Sequence, residues 1–440
     1  MTETVRSRDD FLERLRRRAL DGCRIEVPNL TGVGLVAHMF TDTVWSGCDL
    51  SGAILTNATF IGVRMENVRL RGALLDGVSL IDAQFTGCDM FEMLAPGLKA
   101  SSVRLAQCRL EDAVLDAALL DGATIAGANM HRTRLASALL TGATLRSSFG
   151  SGILLAQAMA GDLCIEDCRF DGLLGPQGDF SRATFRRSEL THFDLRGASC
   201  SKVTLVGTTL ARSYLDGADF TGAHAEQTTL STLTAREVRF ASANLRGADL
   251  SRVVAEGWDL TGADLEGANL AGSSFTQCSF AQARLARVAA RGSRWLSCRA
   301  YSVDAEGLDL QRASLRDCAF DAARFTDASL DDADIEQSSF VGCDFAGARP
   351  PRRAVRSDFT AAAVPGWPLA SIGLDGCVFA SVDMSGVDLR GADLRGWNLS
   401  GANLAGADLR GANLSGARLV RAVLADARIT SAAFAGADLS

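Results

Sequence analysis

A large apolar residue returns at every fifth position along most of the chain. Among residues numbered in multiples of five from Leu50 to Phe345, 48 of 60 are Leu, Ile, Phe, Met or Trp. The frame then moves by one, and all 13 such positions from Phe379 to Leu439 are Leu, Ile, Phe or Met. A period of five fits neither regular element. On an α-helix, five residues advance roughly 140° and spread the apolar side chains around the cylinder. On a flat strand, an odd step sends successive side chains to opposite faces. All of these residues are buried only if the chain turns between one apolar centre and the next, always in the same sense. The result is a coil with short sides.

The other residue types obey the same frame. Of 43 Gly, 37 lie two residues after a centre, where a side chain without Cβ tolerates a tight backbone. Two residues before the centre stands a small residue, as at Ala53, Ala73, Ala123 and Ala263, so this position also points inward. Ten of the 12 Cys share it, among them Cys48, Cys88, Cys108, Cys168, Cys278, Cys298 and Cys318. Cysteine there reads as a small buried hydrophobe. With no CxxC pair, free thiols in a reducing compartment are expected rather than disulfides or a metal cluster. Trp258 and Trp397 occupy the same small inward position, and the repeat offers no evident room for them. Asp, Asn, Arg, Ser and Thr fill the remaining positions, which face water.

At 47% hydrophobic and 22% charged residues the chain is not disordered, and a net charge of −7 argues against a general nucleic-acid binder. The opening MTETVRSRDDFLERLRRRAL lacks the apolar core of a signal peptide, and no later stretch has 18 uninterrupted apolar residues. A soluble cytoplasmic protein without membrane contact is expected.

The cleanest copies run from Gly391 to Gly416, with Leu394, Leu399, Leu404, Leu409 and Leu414 as their structural core. Ala392-Asp393-Leu394, Ala402-Asn403-Leu404, Ala407-Asp408-Leu409 and Ala412-Asn413-Leu414 resemble the A(D/N)LXX consensus of the pentapeptide-repeat family. The resemblance implies an all-β solenoid: a right-handed quadrilateral pentapeptide-repeat β-helix with four repeats per coil. Residues 20 apart then stack. Cys48, Cys88, Cys108 and Cys168 fall in one column, and Cys278, Cys298 and Cys318 in another. About 20 coils at ~4.8 Å make a rod on the order of 95 Å.

Breaks in the rule divide the chain. Phe11, Leu15 and Ala19 return at helical spacing, Asp10 follows Ser7 by three, and Gly22 follows, so 1–22 is expected to be an N-terminal capping α-helix. A long β-helix over 23–345 follows. An irregular connection is expected over 346–373, which holds Pro350, Pro351, Pro365 and Pro368. A short second β-helix segment takes 374–440. Small centres at Gly150, Ala160 and Gly175 suggest thin or bulged coils. The repeat runs to Ala437-Asp438-Leu439-Ser440 without a helix, and such an open coil offers a route to a homodimer.

No catalytic or metal-binding pattern is present. His38, His131, His192 and His224 are scattered over four different places in the repeat, and no cofactor motif occurs. Two surface features stand out as candidate sites. A basic loop carries Arg349, Arg352, Arg353 and Arg356. An acidic patch carries Asp327, Asp331, Asp332, Asp334 and Glu336, within a stretch 301–348 of 11 acidic and 3 basic residues. The favoured reading is a non-enzymatic scaffold that binds protein partners. The resemblance extends this to components of bacterial secretion machinery, type VI systems in particular. The alternative is a DNA-mimicking, gyrase-binding protein of the quinolone-resistance type, which needs acidity spread along the whole rod. Direct nucleic-acid binding is not expected.

Overall fold

The computed structural model describes residues 3–440, in two compact units, Met1–His224 and Ala225–Ser440. Each is a parallel β-solenoid with a 20-residue coil. In the first, Asp49, Ile54, Thr59 and Arg64 each bridge to the residue 20 further on, which gives four ladders and four sides. In the second, Arg239, Asn244, Asp249 and Val254 do the same. Many bridges are single residues, but one side of each unit carries a long run of short strands, and two other sides of the first unit carry three-stranded patches, at 39–81 and 149–191. The long runs form an eleven-stranded parallel sheet up to Thr204–Val206 in the first unit and a seven-stranded one from Thr234–Arg236 to Arg353–Val355 in the second.

The period of five is the reason for this shape. The centres point inward and are buried; Leu394, Leu399, Leu404, Leu409 and Leu414 are at most 1% exposed. Nearly every centre is followed two residues later by a backbone with positive φ, which turns the corner; the exceptions include Val27, Arg352 and Ser371. All 37 in-frame glycines adopt it, with φ from 57° to 76°. Gly347 shows why glycine is favoured: besides its φ of 70°, a Cβ there would overlap the Asp327 carboxylate.

The corner after the three-residue strands explains both the cysteines and the tryptophans. Its inward residue donates a hydrogen bond to the carbonyl of the strand centre in the preceding coil. Cys48 Sγ reaches Ile25 at 3.2 Å, Cys88 reaches Met65 at 3.3 Å and Cys318 reaches Trp295 at 3.4 Å. Thr208 makes the same bond to Phe185 at 3.0 Å. Cysteine is therefore a weak donor here as well as a small hydrophobe. Trp258 makes the equivalent bond, Nε1 to the Ala235 carbonyl at 2.9 Å. Its ring finds room because the strand centres at 235 and 255 are Ala rather than Leu or Phe. Trp397 stacks on Phe379, with centroids 4.8 Å apart and planes 16° from parallel. At Gly175 the missing volume is taken by Phe180 and Phe193, whose rings pack edge to face.

The N-terminal segment starts as part of the sheet. Strand β1 (Thr4–Val5) pairs with β2 (Arg24–Ile25), and helix α1 (Arg8–Arg17) lies between them. Ser7 caps α1 through the Asp10 N–H, as its spacing predicts. The helix ends earlier than expected: Arg18, not Gly22, takes the left-handed cap, and Ala19 is exposed rather than packed. Phe11 and Leu15 are buried over the first coil, with Phe11 edge-on to Trp45.

The expected irregular connection over 346–373 is a further correction. The coil continues through its first half. Arg349 bridges Ser329, and Arg353–Val355 is a strand that pairs with Asp334–Glu336. The one-residue frame shift is absorbed as a single 19-residue coil, in which Ile335 lies opposite Ala354. Real irregularity is confined to 364–372. Neighbouring ladder residues such as Ala363 donate their N–H one coil back, to Cys343. Pro368 has no N–H to give to Ala348, and Trp367 Nε1 donates to that carbonyl instead, at 3.2 Å.

Candidate functional site

The two candidate sites named from sequence are one structure. The 19-residue coil lays the arginines directly over the acidic residues of the coil before. Arg349 pairs with Asp331 at 3.0 Å, Arg352 with Asp334 at 2.7 Å, and Arg356 with Glu336. Arg316 approaches Glu336 from the other side at 2.7 Å, and Arg312 lies 3.8 Å from Asp332. The Arg356 hydrogen bond, with Arg316 beside it, holds the Glu336 carboxyl below the usual carboxylate range. Among the described residues only Arg353 and Asp327 of the nine candidates lack an ion-pair partner. What reads as a basic loop next to an acidic patch is thus a largely neutralised ladder on the surface, and neither half is a free field for a charged partner.

The same device recurs. Asp264, Arg284, Asp304, Arg324 and Asp344 follow one another up a single column, with Arg324–Asp304 at 2.9 Å and Arg284 3.8 Å from Asp264 and 3.9 Å from Asp304. Glu266, which is almost buried, lies among Arg246, Arg284 and Arg287. Each alternation places opposite charges one coil apart, which holds the stacking register. The histidines stay dispersed: His131 Nδ1 contacts Ser151 Oγ at 2.8 Å and His192 Nδ1 contacts Asp171 at 2.7 Å. Among the described residues no three His, Cys, Asp or Glu side chains converge as metal ligands would.

Two other surface rows were missed from sequence. The residue before each centre faces outward, and the repeat consensus there is Asp or Asn. On one side of the first unit this position is instead apolar. Ile54, Leu74, Leu94 and Leu174 are about two-fifths exposed, with Val114 and Leu154 between them in the same ladder. The one charge within this run, Arg134, is bonded to Asp116 of the same unit at 2.5 Å. The next side carries a second ladder from Met39 to Asp219, which includes Ser79, Lys99, Leu119, Leu139, Met159, Asp179 and Ser199. The signal was present in the sequence at a spacing of 20, and writing the chain in rows of 20 brings it out.

A four-sided parallel solenoid with stacked apolar centres, glycine corners and outward Asp/Asn ladders defines a class of repeat protein. The profile of the Pentapeptide repeats family matches residues 40–72, 55–90, 101–142, 194–231, 213–252, 259–294, 303–348, 374–396 and 402–440. Together these exceed half of the chain, and the protein belongs to the pentapeptide-repeat family. No curated protein matches it. Among solved structures it is similar to HetL of the cyanobacterium Nostoc, a pentapeptide repeat protein involved in heterocyst differentiation regulation. That match has 24% identity, covers 58% of this chain and 89% of that one, and has a TM-score of 0.19. It is similar to a trypsin-treated form of QnrB1, a plasmid-mediated fluoroquinolone resistance protein, at 18% identity over 52% of this chain and 91% of that one, TM-score 0.19. A third is the pentapeptide repeat protein Rfr23 of the cyanobacterium Cyanothece, at 21% identity over 30% and 65%, TM-score 0.11.

Proposed function

We propose that this protein is a non-enzymatic scaffold that works by protein–protein contact. The observation that carries this reading is the outward apolar ladder from Ile54 to Leu174, at positions where the repeat itself calls for Asp or Asn. Exposed contiguous apolar surface costs solubility and marks surfaces that other proteins cover. A solenoid holds such side chains at one spacing on a flat support, so a partner meets a pre-ordered row. Within the same reading, a bacterial secretion machine of the type VI kind is where the partner is to be sought.

The test is affinity capture from the native host with wild-type protein and with the double variant Leu74→Asp and Leu94→Asp. Both substitutions restore the repeat's own letter, so the fold is expected to survive. A protein retained by the wild type and lost by the variant supports the reading. Inhibition or protection of DNA gyrase by purified protein at sub-micromolar concentration would overturn it in favour of a DNA mimic. The pairing of Asp331, Asp334 and Glu336 with arginines runs against that outcome, since a mimic of a polyanion needs its carboxylates unpaired.

A further inference from the structure

The second outward ladder of the first unit runs from Met39 to Asp219, each rung bridged to the next, and its inner seven rungs are a chemical palindrome: Ser79, Lys99, Leu119, Leu139, Met159, Asp179, Ser199. Leu119 is 40% and Met159 57% exposed, and Leu139 between them is half-buried. Lys99 and Asp179 are both exposed, and among the described residues neither has an ion-pair partner; Asp179 accepts the Ser181 N–H and lies within the field of Arg182. Unpaired charges of opposite sign therefore bracket an apolar centre, two rungs from its middle on either side.

We propose that this face binds the same face of a second copy of the chain, with the two stacks antiparallel. The two-fold axis lies in the contact plane, along the strand direction, at the rung of Leu139. Reversing the stack then sets Lys99 against Asp179 of the other copy, Leu119 against Met159, Leu139 against Leu139 and Ser79 against Ser199. A two-fold contact makes every pair off the axis twice, so two Lys–Asp pairs close the ends of one apolar seam. Turning the copy the other way, with stacks parallel, would place Lys99 against Lys99 and Asp179 against Asp179. Charge therefore selects the antiparallel register and rejects the parallel one. The ladders share one coil spacing, so rungs stay aligned along the whole contact.

Size sets the kind of contact. Seven rungs at ~4.8 Å extend about 29 Å. Two faces of that length bury on the order of 800 Å² in total, which is the range of reversible rather than permanent association. The inference goes beyond the scaffold reading and uses a different side of the solenoid, so either stands if the other fails.

The experiment is sedimentation velocity of the full chain from about 1 to 300 µM at low salt. Wild-type protein is expected to show a monomer–dimer equilibrium that weakens as salt is raised. Lys99→Asp and Asp179→Lys each place two like-charge pairs in the seam, and each should weaken the dimer by about tenfold or more. The double variant exchanges the charges and should return it to near wild type. Leu139→Asp again restores the repeat's own letter, so it should fold, and should abolish the dimer by facing two carboxylates across the axis. Leu139→Cys should give a covalent dimer with a short bis-maleimide, whose span bridges two faces about 10 Å apart. A wild-type chain that stays monomeric at 300 µM overturns the proposal. So does a dimer indifferent to Lys99→Asp and Leu139→Asp, or a double variant that fails to recover. A monomer that loses a captured host protein on Leu139→Asp overturns it in favour of a different occupant.

Discussion

At the residue scale, the inward corner position shows how one frame accepts different chemistries. Ala fills it where only volume is needed. Cys, Thr, Ser and Trp fill it where a strand carbonyl of the preceding coil can accept a further hydrogen bond. Burial pushes the Cys168 and Cys377 thiols up to about 11 and Cys343 to about 12. Their unfolded values lie near 8.5, so the folded state retains protons that the unfolded state sheds. Stability from these thiols is fully present below pH ~8.5 and is lost as pH rises towards 11–12. Chemical denaturation from pH 7 to 10.5 should show falling stability, and replacing Cys168 and Cys377 by Ala should flatten that slope. An unchanged slope would mean the thiols are accessible in the folded chain. The position and its smallness were legible in the sequence. Its hydrogen bond was not, because the accepting carbonyl lies 23 residues away.

Among elements, the 19-residue coil is the most instructive. Proline gives no N–H to a neighbour, so the prolines in 346–373 predict the end of a ladder. The ladder does lapse at Pro368. At Pro350 and Pro351 the chain instead shortens one side and stays stacked. Trp367 supplies the missing donor to the Ala348 carbonyl and packs 4.8 Å from Phe345. Trp367→Phe keeps most of the packing and removes the donor. It should cost about 1–3 kcal/mol by leaving a buried carbonyl unsatisfied, measured by denaturant unfolding. A neutral result would show that water or a backbone shift satisfies Ala348. The ion-pair ladder over the same coil escaped the sequence reading for a related reason. Arg349, Arg352 and Arg356 and their acidic partners stand 18 or 20 residues apart, so they read as separate charge clusters until the coil length is applied.

For the molecule as a whole, a period of five determined nearly everything about the architecture and little about its use. Each coil touches only its neighbours, so stability is a sum of local terms rather than one global value. Leu404→Ala, which opens a cavity at a fully buried centre, should therefore act locally. Hydrogen exchange should rise in amides of the flanking coils at 384–424 and stay unchanged over 50–110. Equal acceleration in both regions would show that the solenoid melts as a single unit. The faces that could meet partners were invisible to a five-residue reading, because that reading treats Leu74 and Leu139 as ordinary variation at a polar position. The 19-residue coil carries a further consequence. Gain or loss of a whole 20-residue coil leaves every column aligned, so the length of such a chain can change in quanta without a new fold. A single-residue loss is survivable only at a corner that forgives it. The Pro350 corner accommodates a coil one residue short, and everything after it reads in a different phase, like a text that continues correctly after one dropped letter.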